Sequence, residues 1–169
     1  LAGIETTSGP LGCGLSQAAG MAYSLQYLGG NSERFVYCSL GDGELDEGNI
    51  WEAAMFTKKY NLSNLIAIVD RNNIQIGGDT EKVMPLGDLA DKWRSFGWGA
   101  QEIDGHNHLA IIQAIDKAKN SRQPSVIIAH TIPGRGVDFM EYDYRWHGKS
   151  PNAGEAERAL AQLSEGGSE

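Results

Sequence analysis

The sequence contains little cysteine and little positive charge. Its two cysteines, Cys13 and Cys38, lie in apolar segments, and their spacing fits neither a disulfide framework nor a metal site. The 14 Lys and Arg residues against 22 Asp and Glu residues give a net charge of -8, which argues against a nucleic-acid partner or an anionic membrane surface. No apolar run is long enough to span a bilayer, and no signal-peptide pattern is visible. We therefore expect a cytoplasmic protein with reduced thiols that binds neither nucleic acid nor membrane.

The length of 169 residues suits one domain with a well-buried core. We predict that residues 1–163 form this domain and that residues 164–169, which are polar and rich in glycine, form a tail or linker. The chain begins at Leu1, which is not a natural initiator, and opens straight into a motif-like segment. We therefore expect that residues are missing upstream.

The apolar pattern alternates between strands and helices. Phe35–Leu40, Leu65–Val69 and Ser125–His130 are apolar without alternation, which is typical of strands buried on both faces of a parallel sheet. Glu47–Tyr60 carries apolar residues at helical spacing. This order predicts an α/β fold, with a mainly parallel sheet between helices in three αβα layers. Further predicted elements are helices over Gly9–Tyr27, Leu86–Phe96, His108–Asn120 and Gly154–Leu163 and a short strand over Ala100–Ile103.

Two polar loops follow the first two predicted strands. Asp42 lies between Gly41 and Gly43, and Asn72 follows the next strand along the chain. Because parallel strands joined by a crossover end at the same edge of the sheet, we expect Asp42 and Asn72 to lie together there. Their oxygens suit Mg²⁺, and the glycines let the backbone approach a phosphate. The alternative is that both residues only form turns, as Asp and Asn often do.

Other polar residues carry weaker signals. Glu44 and Asp46 fit the first turn of a helix, where acidic side chains are favoured. Gly9–Gly12 is either a phosphate-binding helix start or a rigid turn. His147 lies in a glycine-flanked loop that can return to the sheet edge, so we favour an active-site role for it. For the four tryptophans, packing in the core or at an interface is the simplest interpretation.

The segment Gly41–Gly48, with 28 residues between Gly43 and Asn72, resembles the thiamine diphosphate motif. Glu5–Gly12, Asn64–Asp70, Gly134–Gly136 and Trp146–Gly148 occur in the same order in transketolases. The resemblance covers nearly the whole chain. It is closest to the amino-terminal, diphosphate-binding half of bacterial transketolase, including the form split into two polypeptides.

The resemblance implies a role for each matching position. Asp42, the Asn72 side chain and the backbone carbonyl of Ile74 would ligate Mg²⁺, or Ca²⁺ or Mn²⁺ in its place. The Gly43 backbone would contact the diphosphate. The other implied roles are cofactor lining for Gly9 and Leu11, contact with diphosphate and substrate for His147, and coupling of paired active sites across the subunit interface for Glu47. Pro133 departs from the family pattern and is assigned no cofactor contact.

The implied reaction is transfer of a two-carbon ketol unit from a ketose phosphate to an aldose phosphate. The glutamate that contacts the pyrimidine ring and the histidines that grip the ketose in transketolases do not occur here. We therefore expect a pyrimidine-binding partner domain or chain, in a homodimer or heterotetramer, and no activity from this chain alone. The alternatives are another thiamine enzyme, such as a deoxyxylulose-phosphate synthase or a 2-oxo-acid dehydrogenase component, or a non-catalytic binding or assembly module.

Overall fold

The computed structural model describes residues 3–7, 9–29 and 33–165. The positions of Leu1 and of residues 166–169 in the predicted tail lie outside these ranges, whereas Ser164 and Glu165 belong to the last helix. The helices are α1 (Cys13–Tyr27), α2 (Gly48–Lys59), α3 (Thr80–Val83), α4 (Leu89–Ser95), α5 (His108–Lys119) and α6 (Ala153–Glu165). The strands are β1 (Val36–Gly41), β2 (Leu65–Arg71), β3 (Ile74–Gln75), β4 (Gly78–Asp79), β5 (Gly99–Asp104) and β6 (Ser125–His130).

Within the described residues, four strands form a parallel sheet in the order β1-β2-β6-β5. Gly41 pairs with Asp70, Arg71 pairs with His130, and His130 in turn pairs with Asp104. The carboxyl ends of the four strands therefore meet at one edge, as predicted. A short antiparallel hairpin of β3 and β4 follows β2 at this edge.

Helices cover both faces of the sheet. Helices α1, α2 and α4 pack on one face around Leu15, Ile50 and Trp93. Helix α5 packs on the opposite face, where Ala114 and Ala118 contact Ile66 and Ile127. The β2 side chains that face α1 and α2 belong to one cluster and those that face α5 to the other, because successive strand residues point to opposite faces. This arrangement confirms the predicted three-layer α/β fold.

Several helix ends differ from the prediction. Gly12 has φ +81, a left-handed conformation that interrupts helix geometry, so α1 begins at Cys13 rather than at Gly9. The carboxylate of Asp88 accepts the N–H of Asp91 at 2.8 Å, and this cap sets the start of α4 at Leu89 rather than Leu86. The Asn107 side chain caps α5 by accepting the N–H of Ala110 at 3.1 Å, in agreement with the predicted helix start at His108.

The tryptophans of the first face pack together in the core. The Trp93 ring lies 5.1 Å from the Trp51 ring and 4.9 Å from the Trp98 ring. The Trp98 indole donates to the Ala54 carbonyl at 3.1 Å. Core packing is therefore confirmed for these three residues. Along the chain as described, no helix has both the length and the apolar character needed to cross a membrane.

Candidate functional site

Asp42 is a buried carboxylate at the carboxyl end of β1, with only 1% of its surface exposed. Its Oδ1 accepts the N–H of Gly43 at 2.8 Å and, at 3.4 Å, the hydroxyl of Thr80. Its Oδ2 accepts the N–H of Asn73 at 2.7 Å and a guanidinium N–H of Arg71 at 2.8 Å. A buried carboxylate needs such donors because removal from water is costly without them.

The bond from Asn73 places the Asp42 carboxylate against the loop that carries Asn72 and leads into β3 at Ile74. The Asn72 Oδ1 accepts the N–H of Ile74 at 3.0 Å, and its amide donates to an oxygen of Asp70 at 3.0 Å. These two bonds hold the Asn72 side chain in the loop between β2 and β3. The structure thus brings the Asp42 side chain to the Asn72 loop across 30 positions of sequence, because both follow neighbouring parallel strands.

Arg71 is a site residue that the sequence motifs did not indicate. Its side chain is 9% exposed, and it donates to Asp42 at 2.8 Å and to Glu81 at 2.5 Å. A signal for it was present, since Leu65, Ala67, Val69 and Arg71 alternate along β2 and therefore point to the same buried face. A cation on a buried face requires an anionic partner.

Burial, hydrogen bonds and nearby charges shift the pKa values of two carboxyl groups near Asp42. Desolvation raises the pKa of Glu81, but hydrogen bonds from Arg71 and from the N–H of Leu86 outweigh it, and the net pKa lies below the ordinary value. For Asp46, burial raises the pKa; Lys92 opposes this, while the negative charges of Asp42 and Glu81 add to it. The loop region therefore concentrates negative charge around a single arginine.

Glu44 connects the turn before α1 to the loop that follows β1. Its Oε1 accepts the N–H of Gly12 at 2.9 Å and its Oε2 accepts the N–H of Gly41 at 3.1 Å. Glu44 lies in the 3-10 helix Gly43–Asp46, close to the helical first turn that the sequence indicated, but its long-range contacts were not predicted. Because the Gly12 N–H already donates to the Glu44 carboxylate, it is not free to bind an anion.

The remaining predicted residues near α1 and α2 lie on the surface. Gly9 is exposed, Leu11 is 62% exposed, and the turn they belong to is closed by a bond from the N–H of Cys13 to the Pro10 carbonyl. Glu47 is exposed at the start of α2, and a Cβ on Gly12 would lie 2.8 Å from its Cβ. The requirement for glycine at position 12 therefore follows from its φ and from contact with Glu47.

Gly43 also meets a packing requirement of its own. A Cβ at this position would lie 2.9 Å from the Cβ of Gln75, closer than side chains approach one another. The small residue lets the end of β1 and the β3 strand lie in contact. This contact brings the Gly43 backbone to the same loop as Ile74.

His147 lines a cavity of about 210 Å³ together with Asn72 and Ile74. It follows the 3-10 helix Tyr144–Trp146, and the Trp146 indole anchors this segment by donating to the Phe139 carbonyl at 2.8 Å. The structure therefore brings three of the predicted residues to one cavity. Its other lining residues are Pro133, Gly134, Met140, Asp143, Trp146, Lys149 and Pro151.

Lys149 is a cation of this cavity that sequence reasoning missed. Its Nζ lies 3.9 Å from the centre of the Trp146 ring and 3.1 Å from Glu155 Oε1. Because Lys149 and His147 line the same cavity, their side chains together indicate that the cavity suits an anionic ligand.

A larger cavity of about 450 Å³ adjoins the first, and Pro133 and Gly134 line both. It lies between α5 and the sheet and is mainly apolar, with Ile68, Ile103 and Ile127 among its walls. His106 stands at its rim, where its Nε2 accepts the N–H of Ile132 at 2.7 Å. The two cavities lie on either side of the turn that follows β6.

The oxygen donors near Asn72 suit a hard divalent ion. Mg²⁺ takes carboxylate, amide and carbonyl oxygens and retains positions for water or phosphate. Asp42, Asn72 and the carbonyl of Ile74 could provide one donor of each kind, and the Asp42 carboxylate pairs with the Arg71 guanidinium in this structure. In the part of the chain that the structure describes, no group of three or more His, Cys, Asp or Glu residues could hold a metal. A site here would therefore combine one carboxylate with amide, carbonyl and ligand oxygens.

Comparisons with known proteins identify the family of this chain. The family profile described as "Transketolase, thiamine diphosphate binding domain" matches residues 1–165. A 6-deoxy-6-sulfo-D-fructose transketolase subunit of Clostridium sp. (strain MSTE9) is 43% identical over 98% of this chain and 60% of its own length. An apulose-4-phosphate transketolase subunit of Phocaeicola vulgatus is 41% identical over 96% of this chain and 58% of its own length.

A solved structure shows the same similarity in three dimensions. A transketolase from Campylobacter jejuni superposes with a TM-score of 0.87 at 32% identity, over 96% of this chain and 26% of that chain. The chain thus spans about 60% of the length of the first two relatives. The similarity concerns the domain that both the fold and the polar loops had indicated.

Proposed function

The chain belongs to the transketolase family, in its thiamine diphosphate binding domain, and from this premise we propose that it holds the diphosphate end of the cofactor through a Mg²⁺ ion. Asp42, Asn72 and the Ile74 carbonyl would ligate the ion. The observation that carries this proposal is the 2.7 Å bond between the Asp42 carboxylate and the N–H of Asn73, which joins the ligand-bearing loops.

Other residues would orient the cofactor and substrate. The Gly43 backbone would contact the diphosphate, and Gly9 and Leu11 would line its approach from the surface. His147 would donate to the diphosphate or to the substrate oxygen near the bond that breaks, with Lys149 adding positive charge in the same cavity. Glu47, exposed beside Gly12, would lie at the subunit interface and couple the paired sites.

When bound, thiamine diphosphate supplies the nucleophilic carbon and the electron sink that ketol transfer requires. This chain would contribute the diphosphate anchor, the polar groups around the reacting carbons, and part of the wall that excludes water. The acceptor would be an aldose phosphate. The names of the two relatives refer to ketoses that carry a phosphate or a sulfonate, so we propose a donor with a terminal anionic group.

Activity would require a second half that binds the pyrimidine ring. Both relatives are named as subunits, which supports a separate partner polypeptide and a dimer or heterotetramer. The expected location is the cytoplasm. Full-length material with its partner, Mg²⁺ and thiamine diphosphate should transfer ketol units from a ketose phosphate. Cofactor binding without any transfer would indicate a non-catalytic binding module instead.

The metal role is tested by Asp42→Ala in the assembled protein. We expect thiamine diphosphate binding that depends on Mg²⁺ to disappear in calorimetry, because the only carboxylate of the proposed ligand set is lost. Asp91→Ala is the matched control, since Asp91 is an exposed residue that pairs with Arg94. Unchanged affinity in Asp42→Ala would refute the assignment.

A further inference from the structure

Arg71 and Asp42 form a buried ion pair at the place where the proposed metal would bind. The Arg71 side chain is 9% exposed and that of Asp42 is 1% exposed. One guanidinium nitrogen contacts Asp42 and the other contacts Glu81, whose side chain is 45% exposed. The arginine therefore bridges a buried carboxylate and one that reaches solvent.

The Asp42 carboxylate has no acceptor position left over in this arrangement. Two carboxylate oxygens accept about four hydrogen bonds in all. Oδ1 takes the Gly43 N–H and the buried Thr80 hydroxyl, while Oδ2 takes the Asn73 N–H and Arg71. A divalent ion at Asp42 must therefore replace one of these four donors.

Arg71 is the donor that geometry and charge single out. Oδ2 is the oxygen that faces the loop of Asn72 and Ile74, because it accepts the Asn73 N–H. That N–H belongs to the loop backbone, whereas the arginine is a side chain with a second partner in Glu81. A divalent ion also repels a guanidinium that shares its carboxylate oxygen, strongly so at low exposure.

We propose that Arg71 is the internal counter-ion of Asp42 before metal binding, and that an incoming divalent ion displaces it onto Glu81. Arg71 thereby acts as a positioning residue that keeps the Asp42 carboxylate aimed at the Asn72 loop while lowering its affinity for free metal. This inference rests on the proposed metal role of Asp42. It adds two residues, Arg71 and Glu81, to those that control the site.

The test is a Mn²⁺ titration of the full chain, with free Mn²⁺ followed by electron paramagnetic resonance. Arg71→Gln should bind Mn²⁺ at least about tenfold more tightly than the parent, because no cation has to be displaced. Arg71→Lys keeps a positive charge and should stay within about threefold of the parent. Arg94→Gln, which removes the exposed pair with Asp91, is the matched control and should leave the affinity unchanged.

Glu81→Gln provides a second, independent readout in case Arg71→Gln folds poorly. Glu81 is exposed enough for its replacement to leave the core intact, but the displaced arginine would lose its anionic partner. We therefore expect Glu81→Gln to bind Mn²⁺ several-fold more weakly than the parent. The two variants thus shift affinity in opposite directions.

The outcomes separate this inference from the proposed function. If Arg71 only supports the fold, Arg71→Gln will bind Mn²⁺ as tightly as the parent or more weakly, and Glu81→Gln will bind it as tightly as the parent. Either of these two results would overturn the inference without affecting the proposed metal site. If Asp42→Ala binds Mn²⁺ as the parent does, the metal site itself is wrong, and the inference is overturned with it.

Discussion

Removing the Glu44 carboxylate should disconnect the turn before α1 from the loop after β1. Glu44 accepts the N–H of Gly12 at 2.9 Å and the N–H of Gly41 at 3.1 Å. Gly12 lies 32 positions from Glu44 in the sequence, so the first bond is a tertiary contact. Gly41 lies 3 positions from Glu44, so the second bond is local. Glu44→Ala leaves both donors without their acceptor at a partly buried site.

The magnitude follows from the two bonds. A hydrogen bond to a charged acceptor contributes about 1.5–3 kcal/mol, and the part-buried setting favours the lower end. We expect Glu44→Ala to lower the free energy of unfolding by about 2–4 kcal/mol. Glu44→Gln keeps one acceptor oxygen and turns an amide donor toward the other N–H, so its loss should be about 1–2 kcal/mol.

Urea denaturation followed by tryptophan fluorescence measures these losses, because Trp93 and Trp98 lie in the core on the same face as α1 and α2. Glu52→Ala, an exposed change on α2, is the control and should alter stability little. Amide exchange should quicken at Gly12 and Gly41 in Glu44→Ala. A loss below about 0.5 kcal/mol, typical of surface positions, would refute the idea that Glu44 joins the loops.

Three further predictions concern Cys38, Glu81 and Gly134. Burial, and to a smaller extent the charge of Glu44, raises the pKa of the Cys38 thiol to about 11. At pH 8 about one thiol in a thousand is therefore ionised. Iodoacetamide should not label Cys38 until the chain unfolds, and mass spectrometry detects the label. The pKa of Glu81 is lower in the folded chain than its value of 4.5 in the unfolded chain. Glu81 therefore stabilises the fold above pH 4.5, and this stabilisation is lost as the pH falls through the pKa of the folded state. The unfolding free energy of the parent should thus fall more steeply below pH 4.5 than that of Glu81→Gln, and parallel curves would contradict this. Gly134→Ala should lower the melting temperature by several degrees, because residue 134 has φ +72 and a Cβ would lie 2.6 Å from that of Met140; Gly148→Ala, where a Cβ meets nothing within 4 Å, is its control.

The centre of the sheet was predictable because β2 and β6 are buried on both faces. The edge strand β1 is buried on one face only, with Tyr37 and Ser39 exposed, so the expectation that Phe35–Leu40 is buried on both faces was wrong. Runs such as Leu65–Val69 have no polar alternation, which is typical of a central parallel strand covered on both faces. The helix boundaries were harder to predict from the sequence, because each boundary depends on a single residue. The left-handed φ of Gly12 and the cap at Asp88 shift α1 and α4 by three or four residues, and neither effect changes the apolar period.

The candidate site was only partly predictable from the sequence. The positions of Asp42 and Asn72 follow from a rule about strand ends, which holds for any parallel sheet. The contacts of Glu44 and Arg71 span 32 and 29 positions, and local patterns contain no information on which distant group a long side chain reaches. For Arg71, alternation along β2 showed the face but not the partner.

The charge balance at Asp42 leads to an expectation about the order of binding. Asp42, Arg71 and Glu81 together carry one net negative charge, so a divalent ion held by one carboxylate, one amide and one carbonyl would leave these groups with one net positive charge. Diphosphate oxygens would remove that excess and fill the remaining coordination positions of the metal. Metal and diphosphate should therefore bind with strong mutual dependence, each raising the affinity of the other by the same factor. Because Arg71→Gln removes one positive charge, it should weaken this mutual dependence, and a titration of Mn²⁺ with and without inorganic pyrophosphate measures it. Equal coupling in the parent and in Arg71→Gln would show that the arginine does not take part in the charge balance of the site.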